Sequence, residues 1–332
     1  MQPDGSVVAE ASAGPILVAH DIHRSYGARR ALRSLSFSLQ PGRVLGFLGP
    51  NGAGKTTAIR VLTTVLEPTS GRFEVDGVSS ENPEQIRRRI GVLPEGLGFP
   101  RNTSGVAYLT YYGQLYGRRR DDARRVAHEL LDTVGLGARE QSLIETYSHG
   151  MRQRLGIARS LVNDPRVVFL DEPTLGLDPR GQQELLSMVQ RIARERGAGV
   201  VLSSHLLSEI EGICDDVVIM NAGQIVAKGT VAEVLGRATT DEGARNMVRV
   251  RVPAASVDAA AAVVDGLDSA RTTDRERSGW LTVEFADGSA TDTDRNRLLD
   301  SLIRADIPIV GFEVAGGRLQ DVFMQLTAEA IT

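Results

Sequence analysis

Residues 43–48, Arg-Val-Leu-Gly-Phe-Leu, run with little polarity straight into Gly49-Pro50-Asn51-Gly52-Ala53-Gly54-Lys55-Thr56. A short, continuous apolar run that ends at a glycine has the character of a parallel strand buried on both faces. The residues after it fit a glycine-rich loop that opens a helix and cradles phosphate. Backbone N–H groups must wrap around phosphate oxygens there, and side chains would obstruct them. The helix that follows presents its positive end to the anion. In this pattern the loop and Thr57 bind a nucleotide, Lys55 reaches its β- and γ-phosphates, and Thr56 is a ligand of Mg²⁺.

Strand-like and helix-like segments alternate through roughly the first 235 residues, which predicts an α/β domain with a mostly parallel sheet. Two further apolar runs, 167–170 and 199–202, end at Asp171 and Ser203. Open α/β sheets place ligands at the carboxyl ends of their strands. Asp171 there is suited to hold Mg²⁺ through water, and Glu172 beside it to polarise an attacking water as general base. A helix is expected from the cap Asp178 and Pro179 to a stop at Gly197, with Leu185, Leu186, Val189 and Ile192 on its apolar stripe. Between residues 99 and 150 the character turns helical. Val126, Leu130, Leu131 and Val134 form a face that the charged run at 118–125 interrupts, the mark of a helical insertion.

Residues 1–14 read as a disordered lead-in, 15–235 as the main domain with its helical part at about 99–160, 236–246 as a polar linker, and 247–332 as a small carboxyl-terminal domain. The last follows the order β-α-β-β-α-β, a ferredoxin-like α+β arrangement. A terminal helix is expected with Leu319, Val322, Phe323 and Leu326 on one face.

A formal net charge of -4 over 332 residues argues against a chain whose main business is gripping nucleic acid. The one cysteine, Cys214, excludes an internal disulfide and reads as a small buried hydrophobe. No stretch approaches the ~18 apolar residues of a spanning helix, and the amino terminus lacks the basic and apolar regions of a secretory signal. The expectation is a cytosolic protein brought to a membrane only by a partner.

Tyr147-Ser148-His149-Gly150-Met151, followed by Arg152-Gln153-Arg154-Leu155 and then by the segment Phe-Leu-Asp-Glu-Pro-Thr at 169–174, resembles the signature of ABC (ATP-binding cassette) ATPases over about residues 16–235. The family usually carries Leu-Ser-Gly-Gly-Gln, so Tyr147, His149 and Met151 depart from it while Ser148 and Gly150 are kept. The variant is similar to that of drug- and antibiotic-exporting members. A small hydroxyl and a bare backbone at a helix N-terminus make a second anion cradle. The resemblance implies that Ser148 and Gly150 close on the γ-phosphate held by a second copy, in a head-to-tail homodimer with two ATP molecules at its interface. It also implies that Tyr26 stacks on adenine, that His205 contacts the γ-phosphate, and that Asp178 belongs to a loop crossing the dimer interface.

Glu95 stands where the family normally has glutamine, and its carboxylate is expected to sense the γ-phosphate or ligate Mg²⁺. Tyr108, Tyr111, Tyr112 and Tyr116 lie at helical spacing, as a packed stripe or as lining of a groove for the membrane subunit. Residues 311–323 resemble the carboxyl-terminal extension of drug-exporter ATPases. The implied activity is ATP hydrolysis that drives export through a separate membrane-spanning permease subunit at the cytoplasmic face of the membrane. An importer ATPase subunit shares the same cassette, and a soluble ABC ATPase acting on ribosomes or DNA is a further alternative.

Overall fold

The computed structural model describes residues 14–96, 98–204, 210–238, 247–276, 278–286 and 291–314. The chain divides into two compact units, Met1–Lys228 and Gly229–Thr332.

In the first unit, strands β1 (Leu17–Tyr26) and β2 (Arg29–Leu39) precede β3 (Val44–Leu48), which runs into helix α1 (Lys55–Leu62). Then come β4 (Ser70–Val75), β5 (Val78–Ser79), the short α2 (Pro83–Arg87) and β6 (Ile90–Leu93). Helices α3 (Gly105–Leu115), α4 (Arg120–Thr133) and α5 (His149–Ser160) follow as a block. Then come β7 (Val167–Asp171), α6 (Pro179–Arg196), β8 (Gly199–Ser204), β9 (Asp216–Asn221) and β10 (Gln224–Thr230), within which the first unit ends.

The main sheet has the order β10-β9-β3-β8-β7-β6, and β3 pairs in parallel with β8 and β9, as β7 does with β8 and β6. Every residue of β3, β7 and β8 is buried, which explains why these strands read as unbroken apolar runs. Gly46 is small for a reason, because a Cβ there would stand 2.8 Å from Ile210 Cγ2 and 3.1 Å from Cys214 Sγ. Cys214 is the buried packing residue expected, and burial pushes its thiol pKa up.

A second, antiparallel sheet, β2-β1-β4-β5, was not evident in the sequence. Its first pair carries register shifts between Ala19 and Ile22 and again near Arg24, with Asp21 and Ser34 at φ 49° and 63°. Such bulges destroy the two-residue alternation by which a half-buried strand is recognised. Leu17, Leu35, Phe37 and Phe73 of this sheet share a core with Phe47, Phe169 and Val201 of the parallel one. Phe37 meets Phe47 edge to face at 5.2 Å.

The helical block corrects one expectation. The charged run at 118–125 does not interrupt a helix. Its residues from Arg120 onward form the first turns of α4, with Asp121 and Asp122 in the first turn where the helix dipole favours acids. Ala123, Ala127, Leu130 and Leu131 are the buried face. The tyrosines of α3 split, since Tyr108 is buried and stacks on Phe99 and Tyr112, while Tyr111 and Tyr116 are exposed. α6 has the expected ends, with Asp178 Oδ1 accepting from Gly181 N at 2.9 Å and Gly197 in the left-handed conformation.

The second unit holds α7 (Val231–Ala238), β11 (Met247–Arg251), α8 (Val257–Asp265), β12 (Ala270–Arg275), β13 (Trp280–Phe285), α9 (Asp292–Arg304) and β14 (Gly311–Val314). The antiparallel order β12-β13-β11-β14 is the ferredoxin-like arrangement. Val248, Val250, Leu281 and Val283 pack with Ala260, Val264, Leu298 and Leu302 of the two helices. On the other face the guanidiniums of Arg249 and Arg251 sit 4.9 and 5.9 Å from the Trp280 ring centre. The terminal helix expected around Leu319 to Leu326 lies outside the described residues. No helix among the described residues is long and apolar enough to cross a membrane.

β6 packs against α5 so closely that a Cβ on Gly91 would fall on the carbonyl of Ser160. Gly91→Ala is expected to destabilise the first unit by about 1–3 kcal/mol, the usual cost of overpacking, read as an earlier midpoint in urea unfolding.

Candidate nucleotide site

The parallel register brings the site together. Leu48 lies opposite Ser204 and Asp171 opposite Ser203, so the carboxyl ends of β3, β7 and β8 reach the same edge of the sheet. The glycine loop leaves β3 at that edge. A Cβ at Gly49 would stand 2.5 Å from the carbonyl of Met220, and one at Gly54 would stand 2.9 Å from the carbonyl of Ala31. The loop therefore leaves no room for a side chain at Gly49 or Gly54.

Lys55 opens α1 and is only 7% exposed. Its Nζ donates to the carbonyl of Gly49 at 2.7 Å and of Pro50 at 3.4 Å, which folds the side chain back over the loop. Burial pulls the ammonium pKa below its ordinary value, while the negative charges of Glu172, Asp171 and Glu95 oppose that shift. A buried cation held among backbone dipoles is poised for an anion.

Below it, Asp171 is 5% exposed and accepts a hydrogen bond from Ser203 Oγ at 2.7 Å, with Thr56 Oγ1 3.5 Å from the same oxygen. A carboxylate and a hydroxyl converging beside a phosphate cradle form a hard oxygen donor set that fits Mg²⁺. Ser203 is completely buried, and its hydroxyl also accepts from the backbone N–H of Glu172 at 2.9 Å. It is the one residue of this cluster to which sequence reasoning attached no role. Its only signal was its place at the end of an apolar strand.

Glu172 has φ 49°, a left-handed backbone in a residue other than glycine. Such a conformation costs on the order of 1–3 kcal/mol and persists where the surroundings impose it, which is common at active sites.

A cavity of about 930 Å³ lies over the loop, near the upper end of what small-ligand sites occupy. Asn51, Gly52, Ala53, Gly54, Lys55, Thr56 and Thr57 line its floor. Tyr26, Glu95 and Glu172 stand on its walls. Tyr26 is 44% exposed and has the Arg24 guanidinium 4.9 Å from its ring centre. Glu95 follows β6 in an exposed turn.

Ser148, Gly150 and Asp178 do not line this cavity. Ser148 caps α5 by accepting from Met151 N at 3.2 Å, and Asp178 caps α6. His205 lies outside the described residues. Tyr147, one of the departures in the signature, points inward, and its hydroxyl donates to the carbonyl of Arg139 at 2.8 Å.

A larger cleft of about 1310 Å³ between α4, α5 and α6 holds none of these residues. Arg191 and Arg154 donate there to the carbonyls of Thr133 and Val134 at the end of α4, a bracing role.

A parallel sheet, a glycine loop opening a helix, a buried lysine and an acid pair at the neighbouring strand end define a P-loop nucleotide-binding protein. The ABC transporter family model matches residues 32–175. Over 304 residues the chain is 35% identical to the daunorubicin/doxorubicin resistance ATP-binding protein DrrA of Streptomyces peucetius, covering 91% of this chain and 89% of that protein. It is 34% identical over 223 residues to the linearmycin resistance ATP-binding protein LnrL of Bacillus subtilis, covering 67% of this chain and 71% of that one. A solved structure described as the ATP binding subunit of an ABC transporter is similar at 30% identity with a TM-score of 0.60, covering 67% of this chain and 92% of that chain. The chain belongs to the ABC transporter family, as one of its ATP-binding, ATP-hydrolysing subunits.

Removing the Ser203 hydroxyl takes a donor from buried Asp171 and an acceptor from the Glu172 N–H. Ser203→Ala is expected to cost about 1–3 kcal/mol of stability and to lower ATP turnover roughly tenfold. Urea unfolding and phosphate release would measure the two.

Proposed function

We propose that this chain powers export of a drug, antibiotic or similar small amphiphile through a separate membrane-spanning permease, working as a head-to-tail homodimer at the cytoplasmic face of the membrane. The observation that carries the reading is the split site. The cavity holds a phosphate cradle, a stacking tyrosine and an acid in one protomer, whereas Ser148 and Gly150 form a capped helix end outside it. Both halves make sense if the helix end of one copy completes the cavity of the other. The resistance proteins among the relatives support the export direction and the class of cargo.

In this reading residues 15–235 hold the ATPase and 247–332 form an accessory domain. Tyr26 stacks on the adenine. Backbone N–H groups of the loop between residues 51 and 57 and the Lys55 ammonium hold the phosphates, and His205 joins them on sequence alone. Thr56, Asp171 and Glu95 would hold Mg²⁺, which neutralises charge on the phosphate oxygens when bound. Glu172 accepts the proton of a water as that water's oxygen attacks the γ-phosphorus. The bond to the bridging oxygen breaks, and its electron pair leaves with ADP. Catalysis is then placement and charge stabilisation, as in phosphoryl transfer generally. ATP binding better to the closed dimer than to the open one shifts the population towards closure, which moves the permease.

Glu172→Gln is expected to lower phosphate release by at least about 100-fold while ATP still binds and holds two copies together. Phosphate release and light scattering on the ATP-loaded variant test both halves. Turnover at the wild-type rate would remove Glu172 as the base, and an ATP-loaded variant that stays monomeric would remove the shared site.

A further inference from the structure

We propose that His149 is a positioning residue that holds the segment between Glu172 and α6 in place, and through it the Glu172 carboxylate; the proposal rests on the reading of Glu172 as general base. His149 stands at a position where the family's usual signature has glycine, so its side chain is an addition to the motif.

The geometry forms a short relay. His149 Nε2 lies 2.8 Å from the carbonyl oxygen of Leu175. A carbonyl only accepts, so Nε2 carries the proton in this contact. Leu175 in turn donates its N–H to the carbonyl of Glu172 at 3.3 Å. One side chain of the signature helix is thus two hydrogen bonds from the backbone of the general base. Leu175 also lines the nucleotide cavity.

The two segments interlock beyond that bond. Gly176 has φ 78°, and a Cβ there would stand 3.2 Å from His149 Nε2 and 3.5 Å from its Cδ2, so the imidazole lies over bare backbone. In the other direction, a Cβ at Gly150 would stand 3.3 Å from Leu177 Cδ2. Each segment offers a glycine where the other places a side chain.

Positioning is separable here from simple stability. His149, Leu175 and Gly176 are all exposed, and an exposed hydrogen bond contributes little to global folding. Glu172 sits in a strained left-handed conformation six residues before the Asp178 cap, and strain of that kind persists only where neighbours over-determine it. Loosening Leu175 therefore acts on where the carboxylate points, and the chemical step is sensitive to displacements of that size. Both the neutral Nε2–H tautomer and the imidazolium donate at this atom, so the link does not depend on ring charge.

The test compares full-length wild type, His149→Ala, His149→Gln and Glu172→Gln in steady-state ATP hydrolysis, with ADP affinity and thermal unfolding measured on each. His149→Ala is expected to lower kcat roughly tenfold while KM for ATP and Kd for ADP stay within about twofold. Its Tm is expected to stay within about 2 °C of wild type. In His149→Gln the amide N–H takes the place of the ring N–H, and kcat is expected to return to within about twofold of wild type.

The proposal is overturned if His149→Ala turns over like wild type, if His149→Gln is as impaired as His149→Ala, or if lost turnover simply follows lost folding. Glu172→Gln separates the two levels. Wild-type turnover there removes the base and the positioning role with it, whereas an inactive Glu172→Gln beside a fully active His149→Ala removes the positioning role alone.

Discussion

The buried carboxylate of Asp171 is where the parallel sheet, the phosphate loop and the acid turn are tied together. A charge that is 5% exposed needs partners, and those within reach come from two other elements: Ser203 on β8 at 2.7 Å and Thr56 at the start of α1 at 3.5 Å. Thr56 follows Lys55, whose ammonium is itself buried and bound to the loop carbonyls. A site of closely held opposite charges results. Preorganisation of this kind makes charge stabilisation effective, because no reorientation is left for the moment of reaction.

A strained backbone and close approach are both present at this edge. Glu172 carries a left-handed backbone, and Gly49 and Gly54 leave no room for a Cβ. The sheet beneath them is the opposite, with β3, β7 and β8 buried throughout and in register. A fully buried apolar layer can hold a strained polar rim in place. The second unit has a separate core of its own, with sheet and helices meeting through Val250, Leu281, Val264 and Leu298. None of the buried polar or charged residues among the described residues lies in this unit.

Much of this was legible in the sequence. The three central strands showed as unbroken apolar runs because both of their faces are covered. The order of the second unit was legible because Val248 and Val250 alternate with Arg249 across a sheet that is covered on one side. The antiparallel sheet was not legible, since bulges at Asp21 and Ser34 break the alternation of β1 and β2. The charged run at 118–125 misled for a related reason. Polarity was read as an interruption of the helical face, whereas Asp121 and Asp122 are favourable in a first turn and Arg120, Arg124 and Arg125 face solvent.

The sequence by itself determined the chemistry that depends on residues close together along the chain: the loop at 49–57, the acids 171 and 172, the caps Ser148 and Asp178. These need particular residue types at short, fixed spacing, so the pattern is local and can be read. Only the tertiary structure decided that Ser203 binds Asp171 across 32 positions, that Tyr147 turns inward, and that His149 meets Leu175 across 26. Those partners are chosen by strand register and helix packing, and each contact is set by the placement of whole elements rather than by any spacing along the chain.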